Sequence, residues 1–558
     1  MQSKQDRPQR PSMLRRYGPI IAVVVVVAVV AVVVAVTSGG DGGNKKAPVS
    51  AGGVGRPPTL FSRDSKIDWG PNCDTRTGRV AIPSIYAPPC VEPFHGNNGG
   101  ATSPGVTADS ITIAVYVNQN DPLQQAFVSG AGANVTPEVN ADQAADFARI
   151  YEAHYELYGR KLNIVKYHAN GGPTDEAAAK ADAIKIATDI KPFAVFGAPT
   201  QTSAFADELT ARKILCIGNC AGTYPESFLL PREPYMWQFG PTSSQSAALS
   251  AEQIGKELQG KNASHGGPDV QGKPRVFGIL HYNTPDGQFS SSYQNFVQQL
   301  GKYKVKPAAD VAFTLDLNRA PELARNAIAQ LKSAGVTSVI LNADPLMPKY
   351  FTQEATRQGW FPEWVLGPSL FVDTALFGRT YDAQQWPHAF GISYLAARGQ
   401  QQTGNAYNLY RWQYGKPPPS NIYEVTNFDP SIFGIGVHLA GPILTPETFQ
   451  AGLFRYPVTG GGPTTPTLSR GSHGLWPTTD FGGIDDAVQL WWDPNASGPD
   501  EAGNRGKGLY QYADGGKRYR PGQFPRDEAG LFDTSKAVSI FETLPPSDRP
   551  PTYPSPAR

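Results

Sequence analysis

Between residues 111 and 367 the chain alternates short apolar runs with longer stretches of helical period, and few architectures accept that order. ITIAVYV (111–117), KLNIVKY (161–167), FAVFG (193–197) and ILCIG (214–218) read as strands, the first apolar enough to be covered on both faces. DQAADFARIYEAHYELYG (142–159) reads as a helix, because Phe147, Ile150, Tyr151, Tyr155 and Tyr158 recur at helical spacing and Gly159 stops it. TDEAAAKADAIKIATDI (174–190) follows with Thr174 as the expected N-cap, and TSAFADELTARK (202–213) completes the series. Strands joined by helices of this length form a parallel sheet with right-handed crossovers.

The order repeats after YMWQFGPT (235–242). Helices at 243–258, 288–301, 320–335 and 345–359 alternate with strands RVFGILHY (275–282), AADVAFT (308–314), VTSVILN (336–342) and WVLG (364–367). Beyond them HAFGISY (388–394) reads as a linking strand, and 406–415, 432–441 and 445–456 as helices. IDDAVQLWWD (484–493) fits either a strand or a helix turn carrying Trp491 and Trp492. Residues 496–558, rich in Gly, Pro and Tyr, read as a loose tail.

Seventeen consecutive apolar residues, 20–36, follow Arg15 and Arg16 and would span about 26 Å as a helix. The positive flank belongs in the cytoplasm, which places everything after Thr37 outside. No small-x-small cleavage site follows, so a retained anchor is favoured over a cleaved signal that would release the chain. The first 36 residues carry a net charge of +4 out of +1 for the whole chain, leaving the remainder slightly acidic. That balance speaks against nucleic acid as a partner.

Four cysteines suit an oxidising compartment. Of the three pairings, Cys73 with Cys90 and Cys216 with Cys220 closes the short loops and is the one expected; free buried thiols and a zinc site are the alternatives.

The whole order of elements resembles the type I periplasmic binding proteins, above all the branched-chain amino acid-binding family of ABC transporters. VFGAPTQTSA (195–204) and ILCIGNC (214–220) carry the likeness most directly, supported by YMWQFGPTSSQSAALSAEQI (235–254) and HLAGPILTPETFQAGL (438–453). The resemblance covers residues 107–495 and implies an α/β fold of two Rossmann-like lobes with parallel sheets joined by a hinge, here preceded by a transmembrane helix. It implies binding of a small polar, amino-acid-like solute between the lobes and its delivery to membrane permease subunits.

The chain then divides as follows. A basic cytoplasmic tail (1–18) and an anchor or signal (19–37) precede a Gly/Pro-rich linker with a disulfide-stapled extension (38–106). The first part of lobe 1 spans 107–240 and the main part of lobe 2 spans 241–367. Lobe crossings and a return to lobe 1 occupy 368–495, and the extension follows at 496–558. Crossings are expected around 238–242, 367–371 and 388–394.

In open parallel sheets, solutes bind outside the carboxyl ends of the strands. The first lobe offers Thr200, Gln201, Thr202 and Ser203 after one strand and Cys220, Ala221 and Thr223 after the next. Hydroxyls there would bond the solute, and amides of the following helix would meet a carboxylate. The second lobe offers Tyr282, Asn283 and Asp286 after 275–282 and Asp344 after 336–342, the acids suited to an ammonium. Tyr116 ends the first strand. Five of the candidates have a plainer role beside this one: Thr202, Ser203, Asp286 and Asp344 as helix caps, Tyr116 as packing or turn formation.

None of the eight histidines forms HExxH, no GxSxG occurs, and no glycine run supplies a phosphate loop. Catalysis, cofactors and metals are therefore not expected. A scaffold or sensor ectodomain with an occluded cleft is the alternative, and a hydrolase with a triad assembled from distant residues is the more remote one.

Overall fold

The computed structural model describes residues 57–120, 125–126, 135–199, 201–220, 223–284, 287, 289–368, 371–528 and 530–557. The apolar run at 20–36, and with it the anchor, lies outside the described residues; among those described, no helix is long and apolar enough to cross a membrane. The chain enters through an irregular segment in which β1 (Cys73–Asp74) and β2 (Arg79–Val80) pair antiparallel and a Cys73–Cys90 disulfide ties the ends together.

The first lobe then follows the predicted alternation. It comprises β3 (Ser110–Val117), α1 (Pro137–His154), β4 (Lys161–His168), α2 (Glu176–Lys185), β5 (Ala194–Phe196), α3 (Ala204–Ala211), β6 (Leu215–Ile217) and β7 (Met236–Trp237). Its five described strands are all parallel, in the order β4-β3-β5-β6-β7.

The second lobe repeats the plan with α4 (Ser243–Gln253), β8 (Phe277–Tyr282), α5 (Ser290–Lys302), β9 (Ala309–Phe313), α6 (Ala320–Ser333), β10 (Ser338–Asn342), α7 (Met347–Arg357), β11 (Glu363–Leu366) and β12 (Ala389–Ser393). The strands run β9-β8-β10-β11-β12, again parallel, so both lobes have the doubly wound order.

The chain returns to lobe 1 as α8 (Asn405–Tyr414), α9 (Tyr423–Ala440) and α10 (Pro446–Arg455). There Phe433 and Phe449 pack against Phe193 and Phe196 in a core shared with Ile113, Val195, Phe205 and Ile217. It then crosses once more to add β13 (Ala487–Pro499), β14 (Arg505–Tyr512) and β15 (Arg518–Tyr519) antiparallel to the edge of the second sheet. That sheet is therefore mixed, where the alternation alone predicts a purely parallel one.

Several boundaries move for local reasons. Helix α1 begins five residues before the expected start, because Thr136 caps the amide of Val139 and Pro137 occupies the first turn, where its missing N–H costs nothing. Asp175, rather than Thr174, caps α2. Residues 367–371 do not cross between lobes, since β11 and β12 are neighbours in one sheet. The crossings lie at 238–242, 394–404 and 457–486.

The C-terminal portion is not a loose tail. Tyr510, Tyr512 and Tyr519 are buried in the second lobe. The chain then runs back over the crossings. Phe541 exchanges backbone bonds with Arg398 and Gln400, Asp548 accepts from the amide and hydroxyl of Thr464, and Trp412 donates to the carbonyls of Tyr553 and Pro554 on lobe 1. Tyr553 reaches Asp74 beside the first disulfide at 3.0 Å. Glycine and proline here supply turns in a packed strap, and the buried aromatics supply its adhesion.

Candidate functional site

The carboxyl ends of β5 and β6 lie beside the switch point of lobe 1, and those of β8 and β10 beside that of lobe 2. The two edges meet. The hydroxyl of Tyr282, at the end of β8, donates to the side-chain oxygen of Gln201, in the loop after β5. Gln201 and Thr202 are buried, and Tyr282 is half-buried against Phe289 and Phe313. Two candidates chosen from opposite lobes are thus hydrogen-bonded partners.

The other candidates divide by what already holds them. Thr202 accepts the amide of Ala204 at 3.1 Å, and Ser203 donates to Asp207, so both serve the start of α3. Asp344 accepts the amides of Leu346 and Met347 at 2.8 and 3.0 Å and caps the entry to α7. Its second oxygen is buried without a partner, and burial pushes its carboxyl up to about 6. Tyr116 is buried and donates to Asp182 at 2.9 Å, which also takes Tyr167 and the backbone of Asn170. Asn283 is half-buried and Thr223 exposed. Thr200, Ala221 and Asp286 lie outside the described residues.

Both expected disulfides are present. Cys216–Cys220 spans the end of β6 and the turn after it, so the sulfur of Cys220 is committed to structure and fixes the loop that carries Asn219.

Asp429 was not among the candidates. It sits on α9, which runs past the tips of β5 and β6. One oxygen accepts the Gly197 amide at 2.9 Å, and the other accepts the Asn219 amide at 2.7 Å and its side-chain nitrogen at 2.9 Å. Gly218 has a φ of +59°, and a Cβ there would stand 2.1 Å from the Asp429 carboxylate, so glycine is required by both conformation and approach. Burial raises the Asp429 carboxyl to about 7, against the pull of these three donors. The signal in the sequence is slight: an Asp-Pro pair inside the apolar stretch leading to HLAG. Next to it Phe428 stacks on Phe239, where the chain leaves lobe 1.

The crossings are bound by buried charges. Arg518 donates to Asp486 at 2.7 Å and to the carbonyls of Tyr394 and Leu395, joining the second and third crossings. Arg470, almost fully buried, donates to the carbonyl of Gln238 on the first crossing at 2.9 Å. Gln245 and Trp476 hold Asp480 and Asp485, whose carboxyls burial drives upward. Among the described residues no group of histidines, cysteines and acids has the makings of a metal site.

Two doubly wound lobes joined by three crossings, with strand tips of both facing one another, define the periplasmic binding protein fold. No family model matches the chain, and no curated protein matches it. Among solved structures, a periplasmic binding protein from Burkholderia mallei is similar at 13% identity with a TM-score of 0.51, over 77% of this chain and 99% of that one. A leucine-, isoleucine-, valine-, threonine- and alanine-binding protein from Brucella ovis, in a closed conformation, is similar at 14% identity with a TM-score of 0.50, over 78% of this chain and all of the other. At such identities the likeness establishes the fold.

Proposed function

We propose that this chain is an extracytoplasmic binding protein that closes its lobes on a small polar solute and presents it to an ABC-type permease. The observation that carries the reading is the pairing of Gln201 with Tyr282 across the two strand-tip edges. The fold, the two disulfides and the basic-then-apolar N-terminus support it. The N-terminal run would tether the protein to the cytoplasmic membrane with its bulk outside. A hinged protein works because the solute makes contacts in the closed state that the open state lacks, and closure is what a membrane partner reads.

Native mass spectrometry of protein purified without denaturation tests this directly. A stoichiometric small molecule, lost on unfolding, is the expected result; an empty protein that no solute stabilises would contradict it. A second reading, a non-catalytic scaffold or sensor ectodomain, is favoured by one observation: the strap from Phe541 to Ala557 binds the second and third crossings and lobe 1 at once. Under that reading lobe separation would not respond to any solute.

A further inference from the structure

The first and third crossings are joined around a pair of buried acids. Backbone amides donate from Gln238 to Phe481 and from Gly483 to Gly240, and Arg470 donates to the Gln238 carbonyl. Beside these bonds Asp480 and Asp485, both almost fully buried, face each other within hydrogen-bonding reach. The donors around them decide which is the carboxylate. Trp476 and Ser469 give hydrogens to different oxygens of Asp485, at 2.7 and 2.6 Å, so Asp485 is the acceptor of the pair. One oxygen of Asp480 accepts the Gly482 amide at 2.8 Å and the Gln245 side-chain nitrogen at 2.7 Å. Gln245 is not free to turn, because its own oxygen takes the Thr242 amide in the capping box of α4. The second oxygen of Asp480 is buried without a partner. A hydrogen on that oxygen, donated to Asp485, satisfies both groups.

The charges of the cluster ask for the same hydrogen. Arg518 is matched by Asp486 in a buried ion pair at 2.7 Å, which leaves Arg470 as the one buried cation facing two carboxyls. Tyr456 faces Arg470 from the end of α10, Glu226 takes the Thr242 hydroxyl beyond Gln245, and His473 on the same loop is exposed. With one proton the buried groups balance. Without it a surplus negative charge is buried and two carboxylates in contact repel. Burial first, and the charge of Asp485 second, hold the Asp480 carboxyl well above its ordinary range. A carboxyl raised in this way stabilises the fold while it is protonated, and that contribution is lost as pH rises.

We propose that the third crossing keeps one proton between Asp480 and Asp485 and works as a pH-sensitive clasp: with the proton the first and third crossings stay joined, and its loss in alkali frees them and lets the lobes move apart. The loop that carries both acids also carries Phe481 and Gly483, the backbone partners of the first crossing, so repulsion within the pair acts directly on the bonds that join the two. The device belongs to the crossings and holds whichever solute the crevice takes.

Asp480→Asn is the test, because its amide nitrogen takes the place of the protonated oxygen and donates to Asp485 at every pH. Full-length protein with Lys185→Cys and Lys332→Cys, both at exposed positions, carries a spin label on each lobe and is compared at pH 6 and pH 9. In the otherwise unchanged chain the label separation is expected to broaden at pH 9, and the protection of the Gly482 and Gly483 amides against hydrogen exchange to fall about tenfold. With Asp480→Asn both should keep their pH 6 values. Infrared spectra at pH 6 should show a protonated-carboxyl band that Asp480→Asn lacks. If that variant does not fold, Asp485→Asn removes the same repulsion from the other side and should likewise abolish the pH response of lobes and amides. Identical infrared spectra with and without Asp480→Asn, a chain unmoved between pH 6 and pH 9, or a variant that responds to pH as the unchanged chain does would each overturn the proposal.

Discussion

One carboxylate, that of Asp429, holds the amides of Gly197 and Asn219 at 2.9 and 2.7 Å and so fixes the spacing of two loops that leave adjacent strands. Removing it leaves the half-buried Gly197 amide without an acceptor and turns that of the exposed Asn219 over to water. Asp429→Ala is expected to cost about 3 kcal/mol, the usual penalty for stranding donors inside a protein, measured by urea unfolding. Asp429→Asn should cost less, because it retains one acceptor oxygen.

Gly218→Ala should be harmful out of proportion to its size. The added methyl meets the Asp429 oxygen at 2.1 Å in a left-handed conformation. A loss of about 2 kcal/mol is expected, against less than 0.5 for alanine at Gly301, where a Cβ meets nothing within 4 Å and the helix gains propensity.

Stability should rise on mild acidification. Burial lifts the carboxyls of Asp429 and Glu424 to about 7, of Glu257 to about 8, and of Asp344 and Asp373 to about 6. Each is above its unfolded value, so folding takes up protons between about pH 4 and 8, and stability falls as pH rises through that window. Four histidines oppose this: burial lowers His438 to about 4 and also lowers His154, His281 and His388, so their contribution is lost as pH falls below the unfolded value of 6.5. The five acids outnumber them. The melting temperature is expected to be higher at pH 6 than at pH 8, with a smaller difference in Asp429→Asn; a flat or rising profile from pH 6 to 8 would contradict the burial of these groups.

The disulfide Cys73–Cys90 pins an irregular segment whose Val80, Ile82, Ala87 and Val91 pack into the lobe-1 core. Replacing both cysteines with serine should cost about 3 kcal/mol, from the entropy of the loop it closes. Partial proteolysis should then begin within residues 61–106 while both lobes persist.

Deleting residues 541–558 removes the acceptor for Thr464 and the cover over Trp412. A loss of about 2 kcal/mol and wider excursions of the lobes are expected, read by denaturation and by hydrogen exchange at the crossings.

What the sequence made legible follows from period and length. The apolar runs of β3, β5, β6, β8 and β10 and the helices between them are local signals, and they place the strand tips where Gln201 and Tyr282 are found. Asp429 was invisible because its partners, Gly197 and Asn219, lie more than 200 residues away. Thr202 and Asp344 could not be divided between solute and cap from sequence, since the same oxygen suits both; in the structure each accepts backbone amides at the entry to its helix. The C-terminal strap misled for a different reason. Its turns are rich in Gly and Pro whether they are packed or not, and only the burial of Tyr510, Tyr512 and Tyr519 shows that they are.

Lobe closure around a solute is the motion on which solute delivery turns. Spin labels at the exposed Lys185 of lobe 1 and Lys332 of lobe 2 would report the separation by pulsed electron resonance, before and after the copurifying solute is stripped. A shorter, narrower distance with solute bound, and a broadened one in Tyr282→Ala, is the predicted result. An identical distribution in all three samples would contradict it.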